Sequence, residues 1–325
     1  ANQTITLDAA GNATVTTPTL NTNSTYTLVS VMASGTLACS QSQTGSATVI
    51  VVPLPTAAIA GTTTICSGST TTITFSGTPN ATVTYTVDSG ANQTITLDAS
   101  GNASVTTPAL TSDSTYSLVS VASAGTLSCS QLQTGSAIVS VISLPTATIS
   151  GSTTICSGGT ATISFTGTPN AIVTYTVDSG ANQTVTLDAT GNATVTTSAL
   201  TSDSVYTLVN VALTGTASCS QAQTGSATIT ITPLPTAAIS GSTSVCPNST
   251  AVISFTGTPN ATITYTVDSG ANQTITLDAS GNATVTTPTL NTNSTYTLVS
   301  VTASGTLACS QNQTGSATVT VVPLP

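Results

Sequence analysis

Few side chains in this sequence can do chemistry. The 325 residues include no Lys, Arg or His, and the nine acidic groups are all Asp, so Cys, Asp and Tyr remain. The seven cysteines are Cys39, Cys66, Cys129, Cys156, Cys219, Cys246 and Cys309. They alternate between spacings of 63 and 27 residues. Without His or a C-x-x-C pair, metal binding is not expected. The even spacing reads as a disulfide framework, which forms in an oxidising compartment. Two pairings fit. One joins residues 63 apart: Cys66/Cys129, Cys156/Cys219 and Cys246/Cys309. The other joins residues 27 apart: Cys39/Cys66, Cys129/Cys156 and Cys219/Cys246. Free thiols are the third possibility.

Asp88 and Asp98 stand ten apart, and Asp178/Asp188 and Asp268/Asp278 repeat the pair. Two carboxylates suit a glycosidase dyad or a calcium site. The simpler reading, that each Asp opens a β-turn, is the expectation here. Tyr26, Tyr116, Tyr206 and Tyr296 sit in S-T/V-Y-T/S-L and suit either a tyrosine corner or stacking on a sugar. Tyr85, Tyr175, Tyr265 and Phe75, Phe165, Phe255 read as core. N-x-S/T triplets occur at Asn12, Asn80, Asn92 and Asn102, among others.

Composition removes whole function classes. A chain without cations cannot neutralise phosphates, so nucleic acid and anionic membranes are not expected partners. Ser-His-Asp and Cys-His catalysis is impossible, no cofactor is expected, and an enzyme is the least favoured reading. Low charge with many β-branched residues opposes disorder. No run of 18 apolar residues marks a membrane helix, and no basic leader opens the chain.

These residues are placed by repetition. A-N-Q-T begins at Ala1, Ala91, Ala181 and Ala271, and L-P recurs at Leu54, Leu144, Leu234 and Leu324, always 90 apart. Cutting after each L-P gives complete repeats at 56–145, 146–235 and 236–325, preceded by the C-terminal part of a repeat at 1–55. Segments 1–55 and 271–325 differ at four positions. Such near-identity implies tandem duplication, and the chain reads as a window onto a longer array.

Inside a repeat the period is two. Ile73 and Phe75 alternate with Thr72 and Thr74, and Val83, Tyr85 and Val87 alternate with Thr82, Thr84 and Thr86. Ile95 and Leu97, and Ala227, Ile229 and Ile231, follow the same rule. This is a half-buried strand with Thr outward. Turn signals such as Gly77-Thr78-Pro79-Asn80, Asp88-Ser89-Gly90 and Ser100-Gly101-Asn102 separate the runs. The expected fold is all-β: a tandem array of immunoglobulin-like antiparallel β-sandwiches, about seven strands per 90-residue repeat. Opening and closing strands lie near each other in a sandwich, which favours the bridge within each repeat. Pro53-Leu54-Pro55 and Pro233-Leu234-Pro235 read as stiff connections, so the array should form a rod.

The strings T-T-I-C-S-G, F-S/T-G-T-P-N-A, T-Y-T-V-D-S-G-A-N-Q-T, L-D-A-S-G-N-A, S-T-Y-S/T-L-V and C-S-Q-x-Q-T-G-S-A span the chain. Together they resemble the immunoglobulin-like, PKD-like tandem repeats of giant Flavobacterium-type cell-surface proteins of the Bacteroidota. The W-D-F-G-D-G signature of true PKD domains is absent. The resemblance implies type IX secretion, extracellular display and a role like that of gliding-motility adhesins of the SprB type. It also implies O-glycosylation at Ser114 and Ser204, in Asp113-Ser114-Thr115 and Asp203-Ser204-Val205. The expected function is a stalk segment that holds a distal adhesive tip away from the cell. A self-assembling filament or surface-layer subunit and a carbohydrate-binding module are the alternatives. Expected partners are further repeats, with lateral copies of the chain and surface glycans as additional candidates.

Overall fold

A computed structural model describes residues 1–215 and 217–324. Pro325, which closes the fourth L-P pair, lies outside the described residues. Every regular element among them is a β-strand. The chain divides into two compact bodies, 1–142 and 143–325.

Body 143–325 holds two sandwiches of the same design. In the first, strands Ala147–Ser150, Thr162–Gly167 and Asn192–Thr196 form a three-stranded antiparallel sheet. The facing sheet runs Thr153–Cys156, Ser226–Thr232, Ser204–Ala212, Ile172–Val177 and Gln183–Thr186, and the short strand Ser220–Ala222 pairs with Ser204–Ala212. All pairs are antiparallel except Thr153–Cys156 against Ser226–Thr232, which is parallel. The second sandwich repeats this order from Ala237 to Val321. Body 1–142 contains a third sandwich between Ala57 and Ile142.

The structure therefore shows an all-β tandem array of antiparallel sandwiches. Two of the roughly seven strands are interrupted. The opening strand breaks at Gly151, whose φ of +115° leads the chain from one sheet to the other. A Cβ there would lie 2.5 Å from the Thr162 carbonyl oxygen, so only glycine fits. The closing strand breaks before Ser226, at Gly225.

Alternation builds the core. Ile163 and Phe165 point inward from one sheet, and Val173, Tyr175, Tyr206, Leu208, Val211 and Ile229 from the other. The Phe165 and Tyr175 rings lie 5.0 Å apart, and Tyr175 lies 6.2 Å from Tyr206. Phe75, Tyr85 and Tyr116, and Phe255, Tyr265 and Tyr296, form the same trio in separate cores. Threonines cover the outer faces and pair across strands, as Thr148 Oγ1 does with Thr166 Oγ1 at 2.7 Å. In segment 1–55, which carries only the second part of the repeat, Tyr26, Leu28 and Val31 are exposed.

Each core is a separate cluster, so damage should stay local. Phe165→Ala should cost its own sandwich about 3–5 kcal/mol. Chemical denaturation should then show an early transition for 146–235 and leave the transition of the 56–145 core in place.

Candidate functional site

The strand Ser204–Ala212 separates the two cysteines of its repeat. Ser204 pairs with Ile229, and the closing strand runs on to Thr232, which stands opposite Cys156. At the other end Ala212 pairs with Ser220, the residue after Cys219. At about 3.3 Å per residue, the two cysteines lie more than ~30 Å apart, at opposite ends of the sandwich. A disulfide requires Cα atoms within about 7 Å.

Cys156 instead bonds Cys309, 153 residues further on, with a Cα–Cα distance of 5.6 Å. Cys309 lies in the hairpin loop between strands Ser294–Thr302 and Ser310–Asn312. The loop is closed by the Ala303 N–H donating to the Cys309 carbonyl at 2.8 Å. Cys309 is buried, and the connecting Pro235 is buried too. The bond thus ties the linker end of repeat 146–235 to the hairpin of repeat 236–325. In the chain-entropy picture, closing so long a loop stabilises the folded state by about 5 kcal/mol.

This corrects the expected pairing. Neither the spacing of 63 nor that of 27 joins Cys156. The opening and closing strands are adjacent, as expected, but carry their cysteines at opposite ends. Cys66 and Cys219 each take part in a disulfide. Cys39, Cys129 and Cys246 carry free thiols, so the expected bridges of Cys129 and Cys246 are not made.

The Asp pairs are not brought together either. Asp88 follows strand Thr82–Val87 at one end. The Asp98 carbonyl receives the Asn80 N–H at the other end of that strand. Asp178/Asp188 and Asp268/Asp278 are separated in the same way. Asp98 Oδ1 accepts the N–H groups of Ser100 and Asn102 at 2.7 and 2.9 Å and so holds a turn. Asp188 and Asp278 do likewise. At Asp188 the Thr190 hydroxyl, joined by the Asn192 and Thr190 backbone N–H groups, holds the carboxyl below its usual range. Among the described residues no three His, Cys, Asp or Glu side chains are grouped to hold a metal ion.

Asp88, Asp178 and Asp268 have left-handed backbones, with φ of 51–52°. Each carboxylate reaches across to the start of the long strand. Asp178 Oδ2 accepts the Ser204 hydroxyl at 3.0 Å and Oδ1 the Val205 N–H at 2.7 Å. Asp88 treats Ser114 and Thr115 identically. This overturns the O-glycosylation expectation. Ser114 and Ser204 are buried, and their hydroxyls are already engaged. Asp113 and Asp203 accept the Val141 and Ile231 N–H groups at 2.7 Å.

Tyr116, Tyr206 and Tyr296 are buried and offer no stacking face to a sugar. Tyr85, Tyr175 and Tyr265 are core, and each hydroxyl donates to a glutamine: Gln93, Gln183 and Gln273. The sequon residues Asn12, Asn80, Asn92 and Asn102 lie on the surface. No helix among the described residues is long and apolar enough to cross a membrane.

No family model and no curated protein matches the chain. Among solved structures, a marsupial T cell receptor aligns at a TM-score of 0.38 and 10% identity, covering 80% of this chain and 99% of the receptor. The ICAM-5 D1–D4 ectodomain fragment aligns at 0.33 and 12%, covering 83% and 78%. Sidekick-1 immunoglobulin domains 1–5 align at 0.32 and 16%, covering 83% of this chain and 59% of Sidekick-1. The sandwich assignment rests on the strand order above, not on these distant likenesses.

Burial raises the hydroxyl pKa of all six core tyrosines above the ordinary value near 10, with Tyr175 and Asp178 adding to the rise at Tyr206. A raised folded-state pKa stabilises fully below about pH 10, and that stability is lost as pH rises through the folded value. Tyrosinate absorbance of these six should therefore appear only above about pH 10, together with loss of near-ultraviolet dichroism. Their titration below that pH in a folded chain contradicts the buried placement.

Proposed function

We propose that the chain is a load-bearing spacer of an extracellular surface adhesin or filament, a stalk whose sandwiches are linked by covalent staples. The Cys156–Cys309 bond carries this reading. A tension entering before Cys156 and leaving after Cys309 passes through the sulfur atoms and bypasses the residues between them. The two sandwiches then need not resist the force by hydrogen bonds alone.

Other features agree with a passive, exposed role. Disulfides persist in oxidising compartments. The carboxylates are held by backbone and hydroxyl donors of the same sandwich and are not grouped around a ligand. Lacking Lys and Arg, the chain offers trypsin-like proteases no cleavage site. The repeat strings resemble those of gliding-type adhesin arrays, which supports surface display as the setting.

Single-molecule pulling tests the reading, with handles placed at Ser143 and Leu324 of the full chain. Under oxidising conditions unfolding should lengthen the molecule by no more than about 10 nm, because the bond closes off a sequence separation of 153 between the handles. Adding reductant should release about 50 nm more. Full-length extension with the bond intact would refute the load path.

A further inference from the structure

We infer that the open side of the sandwich takes a basic, extended segment of a partner protein as an added β-strand. In repeat 236–325 the strands Gln273–Thr276 and Asn282–Thr286 stand last in their two sheets. Residues of both line one cleft, so the two free edges lie side by side.

The ladder decides what those edges offer. Leu277 N–H donates to the Ala261 carbonyl and Thr287 N–H to the Ala251 carbonyl, both at 2.9 Å. Along an antiparallel strand, residues bonded to the neighbour alternate with residues turned away from it. Gln273 and Ile275 are in phase with Leu277, and Ala283 and Val285 with Thr287, so these four bond inside their own sheets. The N–H and C=O groups of Thr274, Thr276, Thr284 and Thr286 therefore face the open side.

Proteins blunt free edges with Lys, Pro or a bulge. These two strands read Q-T-I-T and N-A-T-V-T and pair with their neighbours without a register shift. The same edges recur inside the array, at Gln93–Thr96 with Asn102–Thr106 and at Gln183–Thr186 with Asn192–Thr196.

The cleft between the edges has a volume of about 350 Å³; Val285, Pro288 and Leu290 give it an apolar wall and Asp268 a carboxylate. It is at the small end for a whole ligand. It suits a side chain dropped from an added strand, where main-chain bonds give affinity and pockets give specificity. Charge selects the occupant. Asp268 precedes the edge strand Gln273–Thr276 and Asp278 follows it. Both carboxylates are held by neutral donors, which leave the charge in place. The chain has no cation to offset them. A second copy would set a net charge of −9 against −9, whereas a segment with Lys or Arg at its ends is attracted.

This inference makes no use of the load path, so either can fail alone. Amide hydrogen exchange on the full chain tests it, with the end-blocked peptides K-T-V-T-V-K and E-T-V-T-V-E as probes. At about ten times its Kd, the Lys peptide should slow exchange at the Thr274 and Thr276 amides about tenfold, and less as salt is added. The Glu peptide should leave both unchanged. Thr274→Pro removes an outward N–H and no bond of its own sheet. It should abolish the protection of Thr276 and keep the far-ultraviolet dichroism. Thr286→Lys, at an exposed position on the cleft, should weaken the Lys peptide's binding without touching the edge strand, and it decides the matter if the proline variant does not fold. Equal protection by both peptides, protection by neither, or Lys-peptide binding unchanged in the folded variants overturns the inference. So does protection of Thr274 and Thr276 that grows with the concentration of the chain alone, which would make a second copy the occupant.

Discussion

The length of one strand governs how this protein is held together. Ser204–Ala212 spans the sandwich from end to end, with one cysteine beyond each of its termini. The strand's rise fixes that separation, and no side-chain rearrangement can close it. Two cysteines that cannot meet within a repeat can still meet across a junction, because one repeat's linker end faces the next one's hairpin. Cys156 and Cys309 are such a pair. The same strand therefore sets the thickness of the module and sends its oxidative chemistry outward to the neighbour.

A second constraint is the absence of cations. The net charge of −9 has no side-chain counter-charge, so each carboxylate needs neutral donors. Asp178 takes a hydroxyl and a backbone N–H, Asp188 a hydroxyl and two N–H groups, and Asp203 the N–H of Ile231. These bonds fix turns and strand starts and consume the groups that ligand chemistry would require. Backbone-directed bonds of this kind depend less on salt than ion pairs do.

Much of the fold was legible in the residues. Thr alternating with Ile, Val, Phe or Tyr gave the strands and their inward faces, and Gly, Asn and Asp gave the turns. The buried position of Ser204 was legible too, since it shares a face with Tyr206 and Leu208 at period two. The separation of Asp178 from Asp188 could have been estimated from the strand and hairpin between them. The cysteine pairing was not legible in this way. It depends on which end of one sandwich meets which end of the next, and intra-chain spacing carries no information about that. The break at Gly151 was equally hidden, because a single glycine in a strand does not announce a change of sheet.

Mass spectrometry of non-reduced peptides reads the Cys156–Cys309 connection directly. Digestion must use pepsin or chymotrypsin, since the chain has no tryptic sites. A peptide containing Cys156 should be linked to one containing Cys309. Finding Cys156 joined to Cys219, or carrying a free thiol in the folded oxidised chain, would contradict it.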